Sequence, residues 1–226
     1  MADRILVAAT LLSLLGSLGL YAYSVSLGPA ELSGQVPPEA VGSYVAISGM
    51  VREVRRSWEG GIEVELLPGG VGPAVWLALD EALVLSGPRE WLLTGARVRA
   101  LGVLESFRGR MEMRIEVKER LQLLAPSTLG VVWSERNLLN GSCTVFSGIA
   151  YYKNLRRESI TFRLLDRSDP MLELNCSSSY YKPSEERGAW GNGSLVRVTG
   201  VLRYIGEPPV PRLYLSGGAA GVEPLD

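Results

Sequence analysis

The chain has 226 residues, with 23 arginines and lysines against 24 acids, a net charge of −1 and a pI near 5.8. That balance excludes polyanion binding by global charge, because such proteins carry a basic footprint over a whole domain; an anion site here must be local. Histidine is absent, which removes imidazole ligands, imidazole bases and the usual pH switch near neutrality.

The first element is apolar. No charged residue lies between Arg4 and Glu31, and "ILVAATLLSLLGSLGLYAYSVSL", residues 5–27, is long enough for a bilayer crossing, which takes about 20 residues. Residues 1–27 therefore read as a single N-terminal transmembrane helix, with Tyr21 and Tyr23 at the far interface. A cleaved signal peptide is the other reading, and its apolar region is normally shorter. Arg4 on the inner side leaves the rest of the chain outside: a single-pass protein of the cell membrane with extracytoplasmic C-terminal domains. Residues 28–40 are rich in Gly, Pro and small polar residues and read as a linker.

From residue 41 the pattern turns to strands. "YVAISGMVREV" (44–54), "GIEVELL" (61–67) and "AVWLALD" (74–80) are three in a row. "LVLSGPREWLLTG" (83–95) is mixed, with room for one short helix, and "ARVRALGVLESF" (96–107) and "RMEMRIEVKERLQLL" (110–124) follow as two more strands. The last alternates Met111, Met113, Ile115 and Val117 against Glu112, Arg114, Glu116 and Lys118, the period-two mark of a half-buried strand. The set spans domain 1, residues 41–126.

After a linker at 127–135 the order repeats in domain 2, residues 136–222, before a short tail at 223–226. "CTVFSGIAYY" (143–152), "SITFRLLD" (159–166) and "PMLELNCS" (170–177) come first, "YYKPSEERGAWGNGS" (180–194) is the insert, and "LVRVTGVLRYIG" (195–206) and "PRLYLSGG" (211–218) close the set. "SGMV" at 48–51 matches "SGIA" at 147–150, and "ALGVL" at 100–104 matches "VTGVL" at 198–202. Gly49 and Gly148 are 99 residues apart, and Gly102 and Gly200 are 98 apart. A register-matched repeat of this kind means tandem domains of one fold.

Three strands, an insert and two strands, with "SGMV" opening and "VRALGVLESFRG" near the end, resemble the OB-fold, a five-stranded Greek-key barrel. The similarity is to its nucleic-acid-binding branch, which includes membrane-anchored archaeal examples, and it covers about 44–124 and 143–218. The expected fold is all-β: two OB barrels in tandem behind the N-terminal helix. Oligonucleotide-binding OB-folds use the face of strands two and three, framed by the loops joining strands one–two and four–five. The resemblance therefore implies a domain 1 site made of Arg55, Arg56 and Trp58 on one loop and Phe107, Arg108 and Arg110 on the other. Cations would track phosphates while rings stack on bases, so single-stranded nucleic acid or another polyanion is the expected partner. A second site would hold Tyr152, Lys153, Arg156, Arg157 and Tyr204, but its last loop is proline-rich and has Glu207 in place of cations.

The competing reading is an extracytoplasmic protein-interaction or assembly module, its loop arginines merely solvated and Trp58 folded onto the barrel mouth. No catalytic residues, metal ligands or cofactor are expected: the carboxylates are scattered, and neither a phosphate loop nor metal-ligand spacing occurs. Haem chaperones also set an OB barrel behind one anchor, but they attach haem through histidine, which this chain lacks. Cys143 and Cys176, an even pair in an exported domain, point to a disulfide, with buried free thiols as the alternative. Asn140, Asn175 and Asn192 each head an N-x-S sequon, a glycan acceptor in an exported chain and equally a common turn sequence.

Overall fold

The computed structural model describes residues 10, 12–20, 28–57, 60–69, 73–80, 82–83, 92–186 and 188–225. Domain 1 is built from β2 (Tyr44–Arg56), β3 (Ile62–Pro68), β4 (Val75–Leu79), β5 (Arg97–Phe107) and β6 (Arg110–Ile115). β2 pairs antiparallel with β3, β3 with β4, and β4 runs parallel to β6. β6 pairs with β5, and β5 returns to β2, which closes the barrel. A short β1 (Ala30–Leu32) lies parallel on β2, and β7 (Leu121–Ala125) lies on β5.

Domain 2 repeats the plan with β8 (Cys143–Arg156), β9 (Ser159–Leu165), β10 (Glu173–Ser178), β11 (Leu195–Ile205) and β12 (Val210–Leu215). β10 runs parallel to β12, and β11 pairs with both β12 and β8; β13 (Val222–Pro224) adds to β11. The protein is thus all-β, two closed five-stranded barrels in tandem, and the strand order of each is that of the OB-fold. Ile47, Leu66, Leu77, Leu104 and Met113 fill the first barrel; Phe146, Phe162, Leu174, Leu202 and Leu213 fill the second.

The first strand of each barrel serves two neighbours. β2 pairs with β5 through residues 44–50 and with β3 through 49–56. It bends where the two pairings overlap. A Cβ at Gly49 would stand 2.7 Å from the Leu67 carbonyl oxygen, and one at Gly148 would meet the Leu165 carbonyl. A bulge follows in both copies, between Val51 and Glu53 and between Tyr151 and Asn154. Such an extra residue bends and twists the strand. Beside each bulge the chain that leads into the fourth strand docks on the first. Val51 exchanges backbone hydrogen bonds with Gly95 and Ala96, and Ala150 with Gly193 and Ser194.

One expected strand is broken. Residues 110–124 run as β6 only to Ile115, the partner of Leu79 at the end of β4. With no further neighbour the chain turns through Lys118–Arg120 and comes back as β7 on β5. The short helix expected within 83–95 falls mostly outside the described residues. So does much of the N-terminal run: residues 12–20 are helical and exposed, and among the described residues no helix is long and apolar enough to cross a membrane.

The segment between the barrels packs on the second. Leu129 and Val132, the latter in α1 (Val131–Ser134), belong to the second core. The Leu129 N–H donates to the buried Asp166 carboxylate at 2.6 Å, and the Tyr204 hydroxyl donates to the Val132 carbonyl. Thr94 joins the barrels. Its N–H donates to the Val145 carbonyl at 2.8 Å, its hydroxyl accepts the Val145 N–H at 3.0 Å, and Val145 packs into the first core.

The disulfide does not form; Cys143 and Cys176 are both free. Strand alternation is the reason. Cys176 faces inward with Leu174 and Phe162, whereas Cys143 shares the outward side of β8 with Val145, two residues on. Burial raises the Cys143 thiol above its ordinary pKa, with Glu53 of the first barrel adding to the effect, and full burial pushes Cys176 further up.

Two outcomes are expected. Thr94→Val keeps the shape and leaves the Val145 N–H buried without a partner, which costs about 1–3 kcal/mol; a lowered denaturation midpoint in urea measures it. Unfolded protein that has seen no reductant should titrate two thiols, and native protein should react slowly at Cys143 and not at Cys176. Two thiols silent until reductant is added would instead mean a bridge.

Candidate nucleic-acid interface

On an OB barrel the outer surface of strands two and three is the place for an oligonucleotide. In the first barrel that is the face of β3 and β4. Arg55 and Arg110 do meet there, around a tryptophan from β4: their guanidinium carbons lie 4.0 and 5.1 Å from the centre of the Trp76 ring. Glu63 of β3 holds both. Arg110 binds it with two hydrogen bonds of 3.2 and 3.3 Å, and Arg55 donates at 3.1 Å. Partial burial would raise the Glu63 carboxyl, but Arg110, joined by Arg55, outweighs that and holds it below the ordinary value. Arg110 also lies 3.5 Å from Glu112.

The other expected residues of this site are spread out. Arg56 is exposed at the end of β2. Phe107 is exposed at the end of β5, and the Arg108 guanidinium sits 5.0 Å from its ring. Trp58 lies outside the described residues. One more arginine of this face, Arg52, is drawn to the junction. It bonds Glu65 at 3.3 Å and the Leu138 carbonyl at 2.9 Å, in α2 (Arg136–Leu139) of the second domain. Burial raises the Glu65 carboxyl; Arg52 opposes the shift and Glu53 adds to it. Residues 41–126 hold eleven cations and eleven acids, so attraction of a polyanion to this barrel would have to come from a local patch.

The second barrel differs. Residues 136–222 hold eleven cations against seven acids, a net of +4. Register carries one row of side chains across its outer face. Tyr151 of β8 is opposite Arg163 of β9, which is opposite Asn175 of β10, then Arg212 of β12, then Arg203 of β11. The neighbouring row runs Asn154, Thr161, Ser177, Tyr214. Inward-facing Phe162, Cys176 and Leu213 alternate with these positions, so both rows face out. Tyr152 stands at the β8 bulge, 70% exposed, with the Arg163 guanidinium 5.2 Å from its ring. The one acid in this region with a cation partner is Glu173, 3.0 Å from Arg163.

Of the residues expected in a second site, two serve the fold. The Lys153 ammonium donates to Glu186 at 3.2 Å and to the Trp190 carbonyl at 3.1 Å, 3.9 Å from the Trp190 ring centre. Tyr204 is held by Val132, and burial pushes its phenol up to about 12. Arg156 and Arg157 line an open hollow at the β8–β9 turn with Glu158, Ser159 and Ser179. Of the sequon residues, Asn140 is exposed. Asn175 sits half-buried between two paired strands, and the Asn192 side-chain oxygen accepts the Lys153 N–H at 3.0 Å.

Sequence reasoning missed Trp76, Glu63, Arg163, Asn175, Arg203, Arg212 and Tyr214. A charge count per domain would have pointed to the second barrel. The outward parity of "SITFRLL" and "VPRLYL" would have put Arg163, Arg212 and Tyr214 on its face.

No family model matches the chain, and no curated protein does either. Among solved structures, the tetrameric p202 HIN2 overlaps 86% of this chain and 100% of its own, at 9% identity and a TM-score of 0.35. The Ifi202 HINa domain in complex with 20bp dsDNA overlaps 79% and 95%, at 12% identity and a TM-score of 0.32. Overlaps this loose fix neither fold nor ligand; the fold rests on the strand order itself.

Proposed function

We propose that the second barrel binds single-stranded nucleic acid on the outer face of β8, β9, β10 and β12. One observation carries the reading: the continuous cross-strand row Tyr151–Arg163–Asn175–Arg212, flanked by Tyr152 and Tyr214. Single-strand binding combines cations that follow the backbone with rings that stack on bases, over about 4–16 nucleotides per OB barrel. Asn175, Thr161 and Ser177 add neutral donors and acceptors between the charges. A generic polyanion would use the arginines and leave the tyrosines idle, so stacking separates the two ligands. In this reading the apolar run 5–27 tethers the barrels to a membrane and holds them on its extracytoplasmic side. Protease added to intact cells then removes both barrels, and a protected C-terminal domain would reverse that topology.

The full chain, titrated with a labelled oligonucleotide at several salt concentrations, tests the site. Each phosphate contact contributes about −0.7 to the slope of log affinity against log salt for a single strand, so Arg163→Gln should flatten the slope by about that amount. Tyr214→Ala should weaken binding by about 1–3 kcal/mol at an unchanged slope, since stacking releases no counterions. Arg55→Gln with Arg110→Gln should leave affinity as it was. Loss of binding in that double variant would return the site to the first barrel. Absence of binding even at about 50 mM salt, where the electrostatic term is strong, would favour the protein-interaction reading.

A further inference from the structure

We propose that Arg203 and Arg212 form a subsite for a single phosphate group. The pair deepens the nucleic-acid reading of the same face and rests on it for its biological ligand. The two residues are direct cross-strand partners on antiparallel β11 and β12, and both are exposed. Like charges directly opposite one another destabilise a sheet. Two other like-charged pairs stand directly opposite, Glu53–Glu65 and Glu105–Glu112, and in each of them one member has a counter-charge, Arg52 at Glu65 and Arg110 at Glu112. Arg55 stands opposite Glu63 and bonds it, and Arg197 stands opposite Glu223, 3.4 Å away. Arg163 has Glu173 at 3.0 Å. At 203 and 212 the acid is missing, and among the described residues no carboxylate lies within ion-pair distance of either guanidinium.

The surroundings suit an oxyanion with several acceptor oxygens. Arg212 has Asn175 beside it on β10, and Tyr214 follows on the same face. Arg203 lies over Gly141, where a Cβ would stand 3.1 Å from its Nη1; glycine keeps that side open. Each guanidinium is a rigid fork of five N–H donors matched to phosphate geometry. Arginines on directly opposite residues can turn their forks onto different oxygens of one phosphate, whereas a carboxylate would satisfy one fork and leave the other. The bound group would be a phosphodiester of the strand, with a neighbouring base reaching Tyr214 on the same face.

The test uses the full chain, inorganic phosphate as probe, and thermal unfolding at matched ionic strength in phosphate and in chloride. The wild type should melt about 2–4 °C higher in phosphate, as a ligand that binds only the folded state requires. In chloride, Arg212→Gln should melt at or slightly above the wild type, and Arg212→Glu, which restores an Arg–Glu pair with Arg203, about 1–4 °C above it. Neither variant should keep the phosphate increment, and Arg203→Gln should behave like Arg212→Gln. A phosphate increment that survives in Arg212→Gln overturns the subsite, and so does an Arg212→Glu protein less stable than wild type in chloride. The oligonucleotide titration separates the two ideas. A phosphate increment that needs both arginines, with no oligonucleotide binding, upholds the subsite and defeats the nucleic-acid reading. Oligonucleotide binding by a wild type that shows no phosphate increment does the reverse.

Discussion

Closure of each sheet through its long first strand is the constraint from which the rest of the molecule follows. β2 and β8 must pair with one neighbour along their first half and another along their second. That needs a bend, and the bend needs both a residue without a side chain and an extra residue. Gly49 and Gly148 supply the first; the bulges at Arg52 and at Tyr152–Lys153 supply the second. The bulge resets which side chains of the strand face outward. It therefore decides that Arg55 meets Glu63 in one copy and that Tyr152 stands proud in the other.

Electrostatics separates the corresponding surfaces of the two copies. In the first, three arginines of the β3–β4 face are met by glutamates: Arg52 by Glu65, Arg55 by Glu63, Arg110 by Glu63 and Glu112; Arg114, opposite Ala78 of β4, is exposed. Bidentate, partly buried pairs of this kind are among the stronger hydrogen bonds in proteins. A phosphate would have to displace Glu63 and leave its carboxylate beside Trp76 without its cations. In the second copy Arg203 and Arg212 have no such partner among the described residues, and one carboxylate, Glu173, answers Arg163. An incoming anion there relieves repulsion between guanidinium groups and displaces little.

The barrels were legible in the sequence because a half-buried strand writes its two faces as alternation, and because the chain writes the pattern twice. Met111, Met113 and Ile115 announce their strand; "SGMV" and "SGIA" align the copies. What alternation cannot say is where a strand loses its neighbour, so β6 and β7 read as one. The site was less legible. Doublets such as Arg55–Arg56 stand out along the chain, but a binding face is assembled across strands. Asn175 and Arg212 are 37 residues apart in sequence and adjacent in the sheet. Trp76 gave no signal because its neighbours Arg55 and Arg110 come from strands on either side of it. The cysteines misled for a related reason: an even count carries no information about which side of a sheet each thiol faces.

The junction also treats the two faces differently. Thr94 and Val145 lock the end of the first barrel's insert to the start of β8, and Val145 enters the first core. The same contact brings α2 against β2, where Arg52 spans Glu65 and the Leu138 carbonyl. Glu65 is nearly buried as a result, 7% exposed, and the adjoining part of the β3 face is no longer open to a ligand. On the second barrel the corresponding face turns on β9, β10 and β12, which take no part in the Thr94, Val145 and Arg52 contacts. The first barrel commits the Arg52–Glu65 edge of its OB face to the second, while the β9, β10 and β12 face of the second lies apart from those contacts.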